Sequence, residues 1–326
     1  MTPPESLSIF ENLNVKENAL LSAYTTFRLG GPCSLLIQCD TPEEVQQAVK
    51  ALAQNKLPFI LLGGGSNLVV SDQGLECIVI RYVSDTPRIE YHNDLITVSA
   101  STRLDDLALF AARRGLLGLN YTSGIPGSVG GAIVGNAGAF GQQVGDHLES
   151  VILLDRKGIQ RKASPGELGF SYRDSKLKET GEIVLSASFR VEPGDAEKLL
   201  KEREETLNLR REKHPNLKTH PCAGSFFRNI EPTSRAGRRQ ATGWFLEQAG
   251  GKNLHVGGAK IFDRHANIIV KADETCRAQD VYELSLKMAE LAKKAFDLDL
   301  IREVRFVGPF QKKVKDFSSA ESFLIW

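Results

Sequence analysis

The spacing of apolar positions along the chain changes period repeatedly, and each change marks an element. Residues 34–38 (SLLIQ) form a short apolar run that reads as a strand. A helix start follows, with Asp40 or Thr41 as cap, Pro42 in the first turn, then Glu43 and Glu44. Val45, Ala48, Val49 and Leu52 recur at i, i+3, i+4 and i+7, one face of that helix. Residues 58–62 (PFILL) are the next buried strand, so 34–62 reads as strand–helix–strand. Further strands are expected at 77–81 and 95–99, and a helix at 104–114 stopped by Gly115. Between 151 and 191 the runs are strand-like again, most clearly at 183–191.

The stretch 195–213 is so rich in charge that it reads as a solvated helix, and it makes the best domain boundary. Beyond it the pattern predicts a short helix at 244–249 and a strand at 267–271. A last helix carries Val281, Leu284, Met288, Leu291 and Ala295 on one side, and a strand at 300–307 closes the fold. The tail after Gly308 is peripheral, although its end, 323–326 (FLIW), is apolar enough to dock. No internal repeat is found.

Composition removes several function classes. The 326 residues include 41 basic and 40 acidic side chains, a net charge of +1, with 41% apolar residues. That balance excludes wholesale disorder and a general affinity for nucleic acid. No apolar run is long enough to span a membrane. The first ten residues lack the basic start of a secretory signal. Five scattered cysteines with no CxxC pair argue against a disulfide framework or a zinc site and for a reducing cytoplasm; no metal is expected.

The 29 glycines are placed unevenly. Gly63, Gly64 and Gly65, followed by Ser66 and Asn67, come directly after PFILL. A strand running into glycines gathers backbone N–H groups with no Cβ in the way, as a pyrophosphate requires, though a tight turn reads equally well. Ser66 and Asn67 offer side-chain donors besides. Neither a Walker loop nor the Rossmann spacing is present. A second run, 124–145, holds eight glycines in 22 residues, interleaved with Ile125, Val129, Ile133, Val134 and Phe140. Apolar interleaving marks packed backbone rather than a linker, and so a large ligand approached closely.

With these runs the chain resembles the UDP-N-acetylenolpyruvoylglucosamine reductase (MurB) family, over roughly residues 25–308. The resemblance is carried by TTFRLGGP (25–32), GGGSNLVVSD (63–72), GIPGSVGGAIVGNAGAFG (124–141), FSYRDSK (170–176), CAGSFFRN (222–229), GWFLEQAGGKNLHVGGAKI (243–261) and EVRFVG (303–308). It implies an α+β protein: a two-subdomain FAD-binding fold of the vanillyl-alcohol-oxidase (PCMH) type plus a C-terminal α+β substrate domain. The implied division is 18–80 and 81–205 for FAD, 206–308 for substrate, and 309–326 as tail. The implied reaction passes hydride from NADPH through FAD to C3 of an enolpyruvyl sugar nucleotide, with a protein acid protonating C2 to give UDP-N-acetylmuramate for peptidoglycan. The implied protein is a cytoplasmic monomer.

The resemblance also assigns roles. The first glycine run would hold the FAD pyrophosphate, and Gly124, Ile125, Pro126 and Gly127, with Gly130, would lie along the flavin. Ser225 would be the proton donor, although on its own residues it reads as a turn serine before two phenylalanines. Arg173 would grip the substrate carboxylate, which its planar guanidinium suits; the alternative is a surface arginine paired to Asp174. Glu303 would be the catalytic glutamate, placed by strand alternation opposite Val304 and Phe306. Asn229 and His265 would contact the uridine diphosphate, His265 being equally readable as structural. Arg235, Arg238 and Arg239 read as a solvated loop or as a steering patch for anions. The lack of an insertion between Val191 and Ser225 points to the shorter subtype; Gly135 stands where a bulkier residue is common, and Arg228 where lysine is. A different flavin oxidase, or a nucleotide-binding protein without catalysis, would share the fold.

Overall fold

The helix start at 40–44 is a reciprocal cap: Thr41 Oγ1 accepts from the Glu44 N–H, and a Glu44 carboxylate oxygen accepts from the Thr41 N–H (3.2 and 3.0 Å). Thr41, not Asp40, is therefore the cap of α1, Pro42–Gln54. The protein is seen as a computed structural model that describes residues 7–232 and 237–311. Arg235 and the apolar end of the tail lie outside the described residues.

α1 connects the strands Cys33–Cys39 and Phe59–Leu62, as the sequence predicts, but these do not pair with each other. Leu75–Tyr82 inserts between them, parallel to both, and Asn14–Glu17 adds an antiparallel edge. The near-continuous apolar run CIVI suits a central strand buried on both faces. A second sheet is antiparallel throughout, in the order 160–163, 148–154, 183–190, 95–99, 89–92. The helices α2 (Leu104–Arg113) and α3 (Val129–Val134) pack near it, and one apolar cluster runs through both sheets.

The charged stretch is a helix, α4, Ala196–Lys213, with Asp195 capping the N–H groups of Glu197 and Lys198. It is not solvated all round, because Leu199 and Arg203 are buried on one face. A third sheet follows, Cys222–Ser225, His265–Lys271, Ala259–Phe262 and His255–Val256, covered by α5 (Thr242–Gln248) and α6 (Ala278–Phe296). Three of these strands have no sequence counterpart: they are only two to four residues long, so periodicity cannot register them. In α6 the buried face runs through Val281, Leu284, Met288 and Ala292, while Ala295 is exposed.

The expected closing strand shrinks to Arg305–Val307, and it joins the N-terminal part of the fold, pairing in parallel with Leu68–Val70. Asp72, in the loop after Leu68–Val70, accepts from the first N–H groups of α6, Ala278 and Gln279 (2.9 and 3.1 Å). Thr26 Oγ1 likewise reaches the Cys222 carbonyl at 2.7 Å. Helix N-terminal N–H groups lack partners within the helix, so Asp72 both caps α6 and fastens it to the loop after Leu68–Val70. Asp72→Ala should cost about 1 kcal/mol and lower the thermal midpoint by roughly 2–4 °C; an unchanged midpoint by calorimetry would contradict that role.

Candidate active site

The two glycine runs meet backbone to backbone. A Cβ on Gly64 would lie 2.8 Å from the Gly127 Cα, one on Gly63 2.7 Å from Ser128 Oγ, and one on Gly127 2.7 Å from Ser66 Oγ. Gly65 has φ +62°, where any side chain would be strained, and a Cβ there would strike the Tyr24 carbonyl. Beside this contact opens a cavity of about 1010 Å³, lined by residues 63–67, by 124–128 and by Gly130, Arg173, Ser225, Asn229 and Glu303.

The cavity suits a dinucleotide such as FAD. Among the described residues, no protein group accepts from the backbone N–H of Gly64, Gly65 or Ser66. These donors edge the cavity where an anion would satisfy them. A Cβ on Gly131 or Gly135 would meet only one atom each, at 3.4–3.5 Å, so the glycine face of α3 is open. Gly130 instead packs close to Ala100. The Ser66 and Asn67 side chains are not the spare donors expected: Ser66 Oγ bonds the Pro126 carbonyl (3.1 Å) and Asn67 Nδ2 the Glu303 carbonyl (3.1 Å). Each fastens the loop to another part of the site.

Ser225 reaches the cavity through a bulge. The register of Cys222–Ser225 against His265–Lys271 shifts between Cys222 and Ser225, and Gly224 adopts φ +78° with open space around it. Such a bulge re-aims the following side chain. The segment just after is fixed by buried Asn267, whose Oδ1 accepts from the Phe227 N–H while Nδ2 donates to the Phe227 carbonyl (3.0 and 2.8 Å).

Arg173 sits in a two-residue turn closed by Ser171 and Asp174, at φ +58°, uncommon for a residue with a side chain. Lys178 Nζ donates to its carbonyl at 2.7 Å and pairs with Asp174 at 3.2 Å. Asp174 thus engages Lys178, and Arg228 at 3.9 Å; it does not pair with Arg173. The Arg173 Nε lies 3.2 Å from Glu303 Oε1, with both side chains 23% exposed, and Nη2 donates to the Gly138 carbonyl (2.7 Å). Glu303 is not on a strand: it precedes Arg305–Val307, and its N–H donates to the Phe226 carbonyl at 2.8 Å. Alternation along a strand therefore does not aim Glu303; its backbone contacts with Phe226 and Asn67 do.

Asn229 lines the cavity and accepts from the Thr242 N–H. His265 does not line it but lies behind His214, ring centroids 5.7 Å apart, and its Nδ1 accepts from the Asn267 N–H. Burial lowers both histidines, His214 to about 4, with His265, Arg210 and Lys213 adding to that shift, so His214 is neutral at pH 7. Arg239 stacks on the Tyr172 ring at 4.0 Å and bridges Glu231 beside Arg173, though both it and Arg238 are exposed. Arg210 and Lys178 also line the cavity, and sequence reasoning misses both. For Arg210 a signal exists in the spacing 203, 207, 210 along α4, but charge on every side masks it. Among the described residues no cluster of metal-ligating side chains occurs, and no helix is long and apolar enough to cross a membrane.

Residues 33–164 match the FAD binding domain family, and 214–307 match the C-terminal domain of UDP-N-acetylenolpyruvoylglucosamine reductase. The reductase of Lactobacillus acidophilus is 34% identical over 298 residues, 91% of this chain and 96% of that one. Reductase 1 of Bacillus cereus is 36% identical over 293 residues, 89% and 94% of the two chains. The crystal structure of MurB from Thermus caldophilus superposes with a TM-score of 0.74 at 33% identity, covering 91% of this chain and all of that one. The chain belongs to the UDP-N-acetylenolpyruvoylglucosamine reductase family and is an FAD-dependent oxidoreductase of α+β fold.

Proposed function

We propose that the protein reduces UDP-N-acetyl-3-O-(1-carboxyvinyl)-glucosamine to UDP-N-acetylmuramate with NADPH as the electron source. The observation that carries this reading is the Arg173–Glu303 contact at 3.2 Å, in the same cavity as Ser225 and the glycine cradle. FAD, when bound, supplies the hydride relay between the nicotinamide and C3 of the enolpyruvyl group. Hydride at C3 leaves negative charge spread from C2 onto the carboxylate. Arg173 answers that charge with a fixed cation, its guanidinium held by the Gly138 carbonyl and by Glu303. Ser225 gives its hydroxyl proton to C2, and the Arg173 charge in the cavity favours the alkoxide left behind. Asn229 belongs to the side that takes the uridine diphosphate; His265 serves it through His214 rather than by contact. Residues 18–80 and 81–205 hold FAD and 206–308 hold the sugar nucleotide. The five buried, unpaired cysteines support a cytoplasmic setting, and we take the chain to work as a monomer.

Two outcomes test the reading. In anaerobic stopped flow, the enolpyruvyl sugar nucleotide should reoxidise flavin that NADPH has reduced; no reoxidation would overturn the substrate assignment. Ser225→Ala should leave flavin reduction by NADPH nearly intact and slow reoxidation by about 10²-fold or more; equal slowing of both halves would make Ser225 structural. The cofactor site has its own test. Gly64→Val places a side chain against the Gly127 backbone, and FAD affinity should fall by at least about tenfold, ~1.4 kcal/mol, read from flavin fluorescence on titration; unaltered affinity would remove the glycine contact from the FAD site.

A further inference from the structure

The segment 225–228 changes backbone partners as it passes along the cavity wall. Up to Phe226 it runs beside His265–Lys271: Ser225 is in register with Ile268, and the Phe226 N–H donates to the Asn267 carbonyl at 2.8 Å. From Phe227 on it runs beside 301–303, with Phe227 opposite Arg302 in an antiparallel bridge. The hydrogen bonds of that bridge come from the flanking residues, the Arg228 N–H to the Ile301 carbonyl and the Glu303 N–H to the Phe226 carbonyl, both 2.8 Å. In such a pair the N–H and carbonyl of the central residue point the other way. Those of Phe227 therefore face the third sheet, where they meet the Asn267 side chain.

The Asn267 carboxamide carries the same donor and acceptor as a peptide group, so it serves as a sheet rung made by a side chain. Oδ1 accepts from the Phe227 N–H at 3.0 Å and Nδ2 donates to its carbonyl at 2.8 Å. Asn267 is 2% exposed and does not line the cavity, whereas its neighbours Phe227 and Ile268 do. On the other side of Ser225 stands Gly224, at φ +78° with no atom within 4 Å of where its Cβ would be. A glycine with open space is a permissive joint, so the aim of Ser225 is set from the Phe226–Phe227 side. The Phe226 ring packs on Phe27 and Phe306, which holds the ring but not the peptide planes; directional hydrogen bonds do that. Glu303 has a second anchor, its carbonyl accepting from Asn67 Nδ2 at 3.1 Å, so the clamp bears first on Ser225.

We propose that Asn267 is a positioning residue for proton delivery: by fixing the peptide groups of Phe227 it aims the Ser225 hydroxyl at C2 of the reduced substrate. The proposal rests on the reading of Ser225 as proton donor. It goes beyond that reading in placing the control of the donor's aim on a buried residue of a different strand, out of reach of the substrate.

The test uses the holoenzyme, the variants Asn267→Leu and Asn267→Ser, and each combined with Ser225→Ala. Both half-reactions are followed by anaerobic stopped flow. Asn267→Leu should leave flavin reduction by NADPH nearly intact and slow reoxidation by the enolpyruvyl sugar nucleotide by about tenfold or more, as misplacement of a reacting group does. The loss should fall on the limiting rate, with the substrate concentration for half-maximal rate little changed. Asn267→Ser removes the clamp without an apolar side chain against the Phe227 backbone, and gives the same comparison if the Leu variant does not fold. A residue that acts through Ser225 is silent once the hydroxyl is gone, so the double variant should reoxidise within about twofold of Ser225→Ala alone. Multiplication of the two single effects would overturn the proposal, as would equal slowing of both half-reactions or unchanged reoxidation in the Asn267 variants. Failure of the reading beneath it shows separately, as equal slowing of both halves in Ser225→Ala with Asn267 intact.

Discussion

The approach of Gly64 to Gly127 is the contact on which the site depends. One loop leaves the mixed sheet after Phe59–Leu62; the other leads into α3 beside the antiparallel sheet. Their backbones touch where a single methyl group would hold them apart. Because no group among the described residues accepts from the N–H groups of Gly64, Gly65 or Ser66, the seam leaves donors at the cavity edge. Close packing and free backbone donors thus follow from one absence, that of a Cβ.

Around this seam Arg173 and Ser225, the residues proposed to react, are held by backbone geometry more than by one another. Arg173 occupies a left-handed turn that Lys178 fastens through its carbonyl, and Ser225 follows a left-handed glycine in a bulge. Uncommon backbone states persist where surrounding contacts determine them, and both positions have such contacts: Gly138 and Glu303 for Arg173, Asn267 just beyond Ser225. The cost is accepted at the points where a side chain must be aimed.

The sequence makes some of this legible and conceals the rest for identifiable reasons. Strands such as Leu75–Tyr82 and helices such as α1 and α6 are readable because burial imposes a period on their side chains. The glycine runs are readable because eight glycines set among apolar residues suit a packed backbone and little else. Cys222–Ser225 is not, since alanine and glycine carry no periodic signal. For Glu303 the sequence points to the right neighbourhood for the wrong reason, as its aim comes from Phe226 and Asn67 rather than from strand alternation. His265 is expected one layer too near the cavity, because sequence cannot show His214 standing in front of it. The buried face of α4 is hidden because an arginine that pairs inward and one that meets solvent are the same letter.

The parallel pairing of Arg305–Val307 with Leu68–Val70 bears on how the protein is made. A ribosome releases the glycine loop early, and the strand that flanks it only after the whole third sheet. The Asn67 side chain meets the Glu303 carbonyl across a separation of 236 positions in sequence. Contacts of such separation form late, after much loop entropy has been lost. The nascent chain therefore holds a half-built glycine seam through most of translation, exposing apolar residues such as Val69 that pack against later parts of the chain. Newly made protein depends on prompt closure by its own Arg305–Val307 segment, and a ribosome stalled just short of it leaves both glycine runs complete and the active site unmade.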